Sequence, residues 1–288
     1  MQTIAFWVLI ALIPSSLQGG DLGWAQWKDQ EQIRFGGFIM EMHSFKVLDR
    51  DGQAWLIYGD RVGRIHLLKQ EDGRFIEEWV SASLRSAVAE IFVADINDDA
   101  KLEIVAYTEA GDIIFYRLED YKQLWRSTDN EYETIAAMVL ENVDDDPQLE
   151  LIFCAEDASE AISYRTVPGK ERDRASEIGR LFVFDCKNLF TEWNSEQGLT
   201  AQSILVGDLD DDGILEIILN TGFVIDAAYQ RVEWERPDGF GEKIGFVDVD
   251  GDGLPELVGE YQSTTSPRRF IRIFDVDLQS ESFLNQAK

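Results

Sequence analysis

The stretch DLDDDGILEIILN, residues 208–220, joins an acidic nonapeptide to an apolar run, and that junction recurs along the chain. The nonapeptides are DINDDAKLE (95–103), NVDDDPQLE (142–150), DLDDDGILE (208–216) and DVDGDGLPE (248–256), called here the first to fourth acidic loops. Each carries carboxylates or amides at positions 1, 3 and 5 and Glu at position 9, then enters an apolar segment (EIVAY, ELIFC, EIILN, ELVGE) that reads as a buried strand. Hard oxygen donors at alternate places of a tight loop suit Ca²⁺, which takes about six to eight oxygens at flexible angles and mixes carboxylate, amide and backbone carbonyl. Mg²⁺, which demands a near-ideal octahedron and keeps its waters, fits less well.

An EF-hand is excluded by spacing, since it needs a carboxylate at position 12 between two helices. Here that position holds Ala106, Phe153, Leu219 or Gly259, and strand-like sequence lies on both sides. The ninth-position glutamates step by 47, 66 and 40 residues, a spacing that marks repeat architectures. A decayed copy, VLDRDGQAW (47–55), keeps Asp49, Asp51 and Gly52 in register but has Val47 and Trp55 at the outer ligand places. It is expected to keep the turn and lose the metal.

Each unit continues with a second alternating strand (GRIHLL, GDIIFYR, GRLFVFD, RFIRIFD), and most add a Trp-bearing segment at Trp79, Trp125, Trp193 or Trp234. Four antiparallel strands per unit follow. The loop spacing resembles the FG-GAP or VCBS repeat of integrin-α-like β-propellers, and the resemblance covers most of the chain. It implies an all-β fold, a β-propeller of five four-stranded blades, with metal ligands at positions 1, 3, 5 and 9 and the backbone carbonyl at 7. Those places are Asp95, Asn97, Asp99, Lys101 and Glu103; Asn142, Asp144, Asp146, Gln148 and Glu150; Asp208, Asp210, Asp212, Ile214 and Glu216; Asp248, Asp250, Asp252, Leu254 and Glu256.

The third and fourth loops hold acids at all four side-chain places and Gly213 or Gly253 at position 6, where a sharp turn favours glycine, so they read as the strong Ca²⁺ sites. The first has Ala100 there and Asn97 in place of an acid. In the second, Pro147 fixes φ near −65° and excludes a positive-φ turn, so that loop reads as a vestige. Spacing of the tryptophans makes the segment around Trp27 the outer strand of the last blade, closing the ring and leaving no open edge. The alternative closing strand is 282–285, with Phe283 as anchor.

Residues 4–13 form an unbroken apolar run, too short to span a bilayer, which requires about 20 residues. Followed by Pro14 and SSLQGG, it reads as a signal peptide over 1–20 that lacks a basic start; the alternative is a buried N-terminal strand. Export to a secreted or periplasmic location follows, with one domain over 21–288. Cys154 and Cys186 fall about five residues apart in strand register, too far for a bridge, and two free thiols are expected.

The formal charge of −29 disfavours nucleic acid and anionic membranes as partners, both of which need a basic surface. Arg61, Arg64, Arg165, Lys170, Arg172, Arg174, Arg180, Arg268 and Arg269 are expected on the blade face opposite the acidic loops. Six of these, Arg165, Lys170, Arg172, Arg174, Arg268 and Arg269, together with the long 157–179 insertion, mark a surface for a protein or acidic glycan; the insertion reads equally as a solvated loop.

No nucleophile, zinc or phosphate-loop motif occurs. Glu41, Glu90 and Glu242 are the only carboxylates placed for a polysaccharide-active alternative, a lyase or glycosidase. The reading is a monomeric, calcium-binding, non-catalytic binding, adhesion or scaffold module.

Overall fold

Period-2 alternation of apolar residues becomes strand throughout the described residues. The computed structural model describes residues 44–282 apart from 51, 145, 158–178, 197 and 263–267. Twenty strands are present among the described residues, and every neighbour in a sheet is also a neighbour in sequence. The first sheet is β1 (Phe45–Arg50), β2 (Gln53–Gly59), β3 (Ile65–Glu71) and β4 (Arg74–Val80). The second is β5 (Val88–Ala94), β6 (Glu103–Thr108), β7 (Ile113–Arg117) and β8 (Gln123–Arg126). The third is β9 (Tyr132–Glu141), β10 (Glu150–Asp157), β11 (Gly179–Asp185) and β12 (Phe190–Asn194). The fourth is β13 (Ile204–Gly207), β14 (Glu216–Leu219), β15 (Phe223–Asp226) and β16 (Arg231–Glu235). The fifth is β17 (Lys243–Val247), β18 (Glu256–Gln262), β19 (Arg269–Asp275) and β20 (Ser280–Ser282).

The chain divides into two compact units between Ile91 and Phe92. In the first unit, the decayed loop copy forms a tight hairpin, with Arg50 opposite Gln53 and the Gly52 N–H donating to Asp49 Oδ1 at 2.9 Å. His66 on β3 is a packed histidine. It stacks on Tyr58 at 4.7 Å, and its two ring nitrogens meet Glu77 Oε1 at 2.9 Å and Asp60 Oδ2 at 3.0 Å.

In the second unit, side chains from successive sheets interlock. Ile152, Cys154, Leu181 and Val183 of the third sheet share a core with Ile204, Ile217, Leu219 and Ile225 of the fourth. Ile218 and Val224 pack with Leu257 and Phe274 of the fifth. Trp79, Trp125, Trp193 and Trp234 sit on outer strands, and two of them reach the next sheet within this unit: Trp125 lies 4.8 Å from Phe184, and Trp234 lies 6.4 Å from Phe274. One residue before each, the strand register slips by one, a β-bulge that sets the Trp on its partner strand and turns the preceding side chain elsewhere. Two residues after three of the tryptophans comes Ser81, Ser127 or Ser195, whose Oγ accepts the N–H of Ile65, Ile113 or Leu181, the first residue of β3 and β7 and the third of β11, at 2.8, 3.0 and 2.9 Å. This satisfies a buried donor and fixes where the outer strand begins to diverge.

Cys154 lies opposite Leu181, and both thiols are free and buried, as the register predicts. The propeller expectation is corrected. The described strands form five separate antiparallel sheets, and none is closed or curled as a propeller blade would be. The fifth sheet is completed by β20, whose Ser280 pairs with Asp275. The Trp27 segment that was expected to close a ring lies outside the described residues, as do the 1–20 leader and nearly all of the 157–179 insertion. Range explains the failure: hairpin register is set by turn and alternation within a few residues, whereas ring closure joins chain ends across a distance where no local pattern acts.

Candidate metal centres

Three of the four acidic loops, the first, third and fourth, are tied by one common scaffold of hydrogen bonds. The position 1 carboxylate accepts the N–H of position 6: Ala100 to Asp95 Oδ2 at 2.7 Å, Gly213 to Asp208 Oδ2 at 3.2 Å and Gly253 to Asp248 Oδ2 at 3.2 Å. In every loop the position 5 N–H donates to the position 3 side chain, and the position 7 N–H to the position 5 carboxylate. Thus Lys101, Gln148, Ile214 and Leu254 all occupy equivalent seventh places. The position 2 N–H closes each loop on Glu Oε2 of position 9, at 3.3, 2.9, 2.8 and 2.7 Å for Ile96, Val143, Leu209 and Val249. Threading these bonds needs a left-handed residue at position 6, and Ala100 (φ 63°), Gly213 (84°) and Gly253 (99°) supply it.

The second loop reaches the same form by an exchange. Pro147 has no N–H for position 1 to accept, and position 1 is Asn142, whose amide nitrogen instead donates to the Asp146 carbonyl. Lys187 Nζ holds Gln148 Oε1 at 3.1 Å. The loop that reads as a vestige therefore keeps its acids assembled.

Carboxylate oxygens converge in each loop to within 4.8 Å of one another: Asp95, Asp99 and Glu103; Asp144, Asp146 and Glu150; Asp208, Asp210 and Glu216; Asp248, Asp250 and Asp252. Glu256 stands outside the fourth cluster, and Asp212 outside the third. Glu103 and Glu150 are 0 % exposed and Glu216 1 %. Glu103 and Glu150 each keep Oε1 buried with no hydrogen-bond partner. A buried polar atom without a partner is costly, so these two oxygens fit a cation ligand better than any protein contact the fold gives them. Burial, reinforced by neighbouring acids, pushes Glu103 up to about 7, Glu150 to about 8 and Glu216 to about 7. Among the described residues these clusters can each coordinate a divalent cation.

The order of promise among the loops differs from the one their own residues suggest. Position 2 explains it. Ile96, Val143 and Leu209 are 1 %, 8 % and 2 % exposed, plugging the first three loops into the core, whereas Val249 is 39 % exposed and its loop lies open. Burial is supplied by surrounding strands, which the nonapeptide does not encode.

Sequence reasoning missed a second set of acids. Asp185 and Asp226, both buried, lie directly opposite Glu150 and Glu216 across the strand pairs. Glu192 and Glu233 occupy the bulge before Trp193 and Trp234, and both are raised by burial and then by the loop acids or their cross-strand neighbours, Asp144 and Asp185 for Glu192, Asp226 for Glu233. A signal existed: Glu immediately precedes Trp at 78–79, 192–193 and 233–234.

Two of the basic residues expected opposite the acidic loops have partners close by. Arg269 pairs with Glu260 at 2.6 Å and Glu242 at 3.8 Å, and Arg180 donates to the Ser195 carbonyl at 3.1 Å. Arg268 is exposed, while Arg165, Lys170, Arg172 and Arg174 lie outside the described residues. Of the glutamates considered for catalysis, Glu90 meets Lys46 at 3.7 Å and Glu242 meets Arg269; Glu41 is outside the described residues. No helix among the described residues is long and apolar enough to cross a membrane.

No family model matches the chain, and no curated protein matches it. Among solved structures, a chain from the crystal structure of BBS1N in complex with ARL6DN, soaked with lead, is similar at 12 % identity. The match covers 81 % of this chain and 79 % of that one with a TM-score of 0.43, too low to carry an argument. With open sheets and no matching family, the FG-GAP, VCBS, integrin-α and propeller assignments are all set aside. What stands is an all-β repeat module with several acidic clusters, suited to binding or structural support.

Proposed function

We propose that the chain is a calcium-binding module whose acidic loops are structural ion sites, and that it works by binding rather than catalysis. The observation that carries this reading is the pair of fully buried carboxylates, Glu103 and Glu150, each with one oxygen lacking any protein partner and facing further acids within 4.8 Å. Calcium is favoured over magnesium because the donors mix carboxylate, amide and carbonyl in loops of unequal composition. A site with a dissociation constant of ~0.1 mM at ~1 mM calcium contributes roughly 1.4 kcal/mol by mass action. Calcium near millimolar agrees with export, which remains part of the proposal. The partner we propose is a protein or acidic glycan reached through basic residues such as Arg268.

The test is thermal melting of the full chain in excess EDTA and through a calcium titration, with Glu103→Gln and Glu150→Gln beside it. A dose-dependent rise in Tm that each variant blunts supports structural calcium sites. A melting curve indifferent to calcium removes the reading. Charge reversal at Arg268, or deletion of 158–178, tests the partner surface separately: unchanged retention on an acidic glycan column discards it.

A further inference from the structure

The first and second acidic loops are joined by their backbones. The Leu149 N–H, at position 8 of the second loop, donates to the Ile96 carbonyl, at position 2 of the first, at 3.3 Å. The same residue, Ile96, gives its N–H, on the preceding peptide group, to Glu103 Oε2 at 3.3 Å, and Leu149 is followed at once by Glu150. Leu149 in turn accepts the Cys186 N–H at 3.3 Å, and the Cys186 thiol feels the charge of both Glu150 and Glu103. A short path through the backbones of Ile96 and Leu149 and the hydrogen bond between them therefore connects one buried ninth-position glutamate with the other. These are also the two glutamates whose Oε1 has no protein partner.

Resting on the reading that these clusters hold divalent cations, we propose that the first and second sites bind their ions cooperatively through the Leu149–Ile96 hydrogen bond. An ion that draws Glu103 onto it fixes the Asp95–Ile96 peptide, because Glu103 Oε2 is the acceptor of the Ile96 N–H, and so restricts the Ile96 backbone that sets the direction of the next carbonyl. A fixed Ile96 carbonyl orders the Leu149 peptide and with it the direction in which Glu150 leaves the backbone. The second ion then meets a site already ordered, so less conformational entropy opposes it. Linkage requires the effect to be equal in both directions. One backbone hydrogen bond supports an interaction of about two- to tenfold in affinity. The fourth loop contains its own control, since Pro255 at position 8 has no N–H to offer while the bonds within that loop remain in place.

The experiment is calorimetric calcium titration of the full chain carrying Asp210→Ala and Asp250→Ala, which remove the position 3 oxygen donor from each of the other two clusters. In this background two ions are expected to bind cooperatively. Adding Asp144→Ala leaves the first site, which is expected to bind about two- to tenfold more weakly than it does beside a filled second site. Asp99→Ala in place of Asp144→Ala leaves the second site, weakened by the same factor. Leu149→Pro keeps every carboxylate and is expected to retain both ions while removing their interaction; should that variant not fold, the two aspartate variants decide alone. Two ions binding with affinities indifferent to each other overturn the coupling and leave the ion sites standing. Failure of either loop to take up calcium overturns both.

Discussion

The second and fourth acidic loops differ in a way their sequences invert. DVDGDGLPE has every acid and a glycine at the turn, yet it lies open, with Val249 in solvent and Glu256 outside its cluster. NVDDDPQLE has an amide for its first acid and a proline in its turn, yet Asn142 redirects its amide, Val143 is buried and Glu150 is the most strongly perturbed glutamate of the four loops. A ligand pattern describes which oxygens are offered; the surroundings decide how dry they are, and dryness sets how much an ion is needed.

The largest expected break in this comparison is at position 2. Val143→Asp buries a charge among apolar strands and should cost about 3 kcal/mol or more, whereas Val249→Asp should stay within about 0.5 kcal/mol, as measured by urea unfolding. Equal costs would mean the fourth loop is as enclosed as the second.

Glu150→Gln should invert with conditions. In EDTA near pH 8 it melts above the parent, because a neutral amide replaces a carboxylate held unfavourably in a dry site. In calcium it melts below, losing about 1–2 kcal/mol of ion stabilisation. Glu256→Gln should move little in either buffer.

The pH dependence has a definite sign. Glu103, Glu150 and Glu216 have folded values raised to about 7, 8 and 7, above the ordinary 4.5 expected when unfolded. The folded chain therefore holds more protons between these limits, and its stability without metal should be fullest in acid and fall as pH rises from about 4.5 through about 8. Melting in EDTA from pH 5.5 to 8.5 checks this, and saturating calcium should flatten or reverse the trend because the ion takes the deprotonated form. A metal-free chain that gains stability with pH would contradict the burial of these glutamates.

The smallest effect is expected at Ala100, which holds φ 63° where the third and fourth loops use glycine. Ala100→Gly relieves that strain, partly offset by glycine's greater freedom when unfolded, for a net gain near 0.5 kcal/mol; Gly213→Ala should lose about 1 kcal/mol.

The strands and loops were legible because their information is local. Alternation in RLFVFD and the ninth-position Glu that opens ELIFC place β11 and β10 without reference to anything distant, and the register expected to hold Cys154 and Cys186 apart is the one observed, with Cys154 opposite Leu181. The arrangement of the sheets was not legible in this way, since nothing within a repeat reports whether the ends of the chain pair. Nor was the second set of acids, because Asp185 and Glu192 approach the second loop only after β10, β11 and the bulged β12 are laid side by side. Pro147 has to be read with a second residue for a related reason: its missing N–H is accompanied by the Asn142 amide that donates to the Asp146 carbonyl, and neither substitution makes sense alone.

The strictly sequential order of strands also bears on how the chain folds during synthesis. Every pairing closes between neighbours in sequence, so the second sheet has all its strands once residue 126 has left the ribosome, with no segment awaited from further on. Local pairing of this kind keeps the entropy of loop closure low and favours rapid formation. One junction departs from it: β10 and β11 pair edge to edge although residues 158–178 lie between them. That hairpin has the longest connection to close among the described pairs, so the strand that begins with the buried Glu150 is the one that must wait longest for its partner.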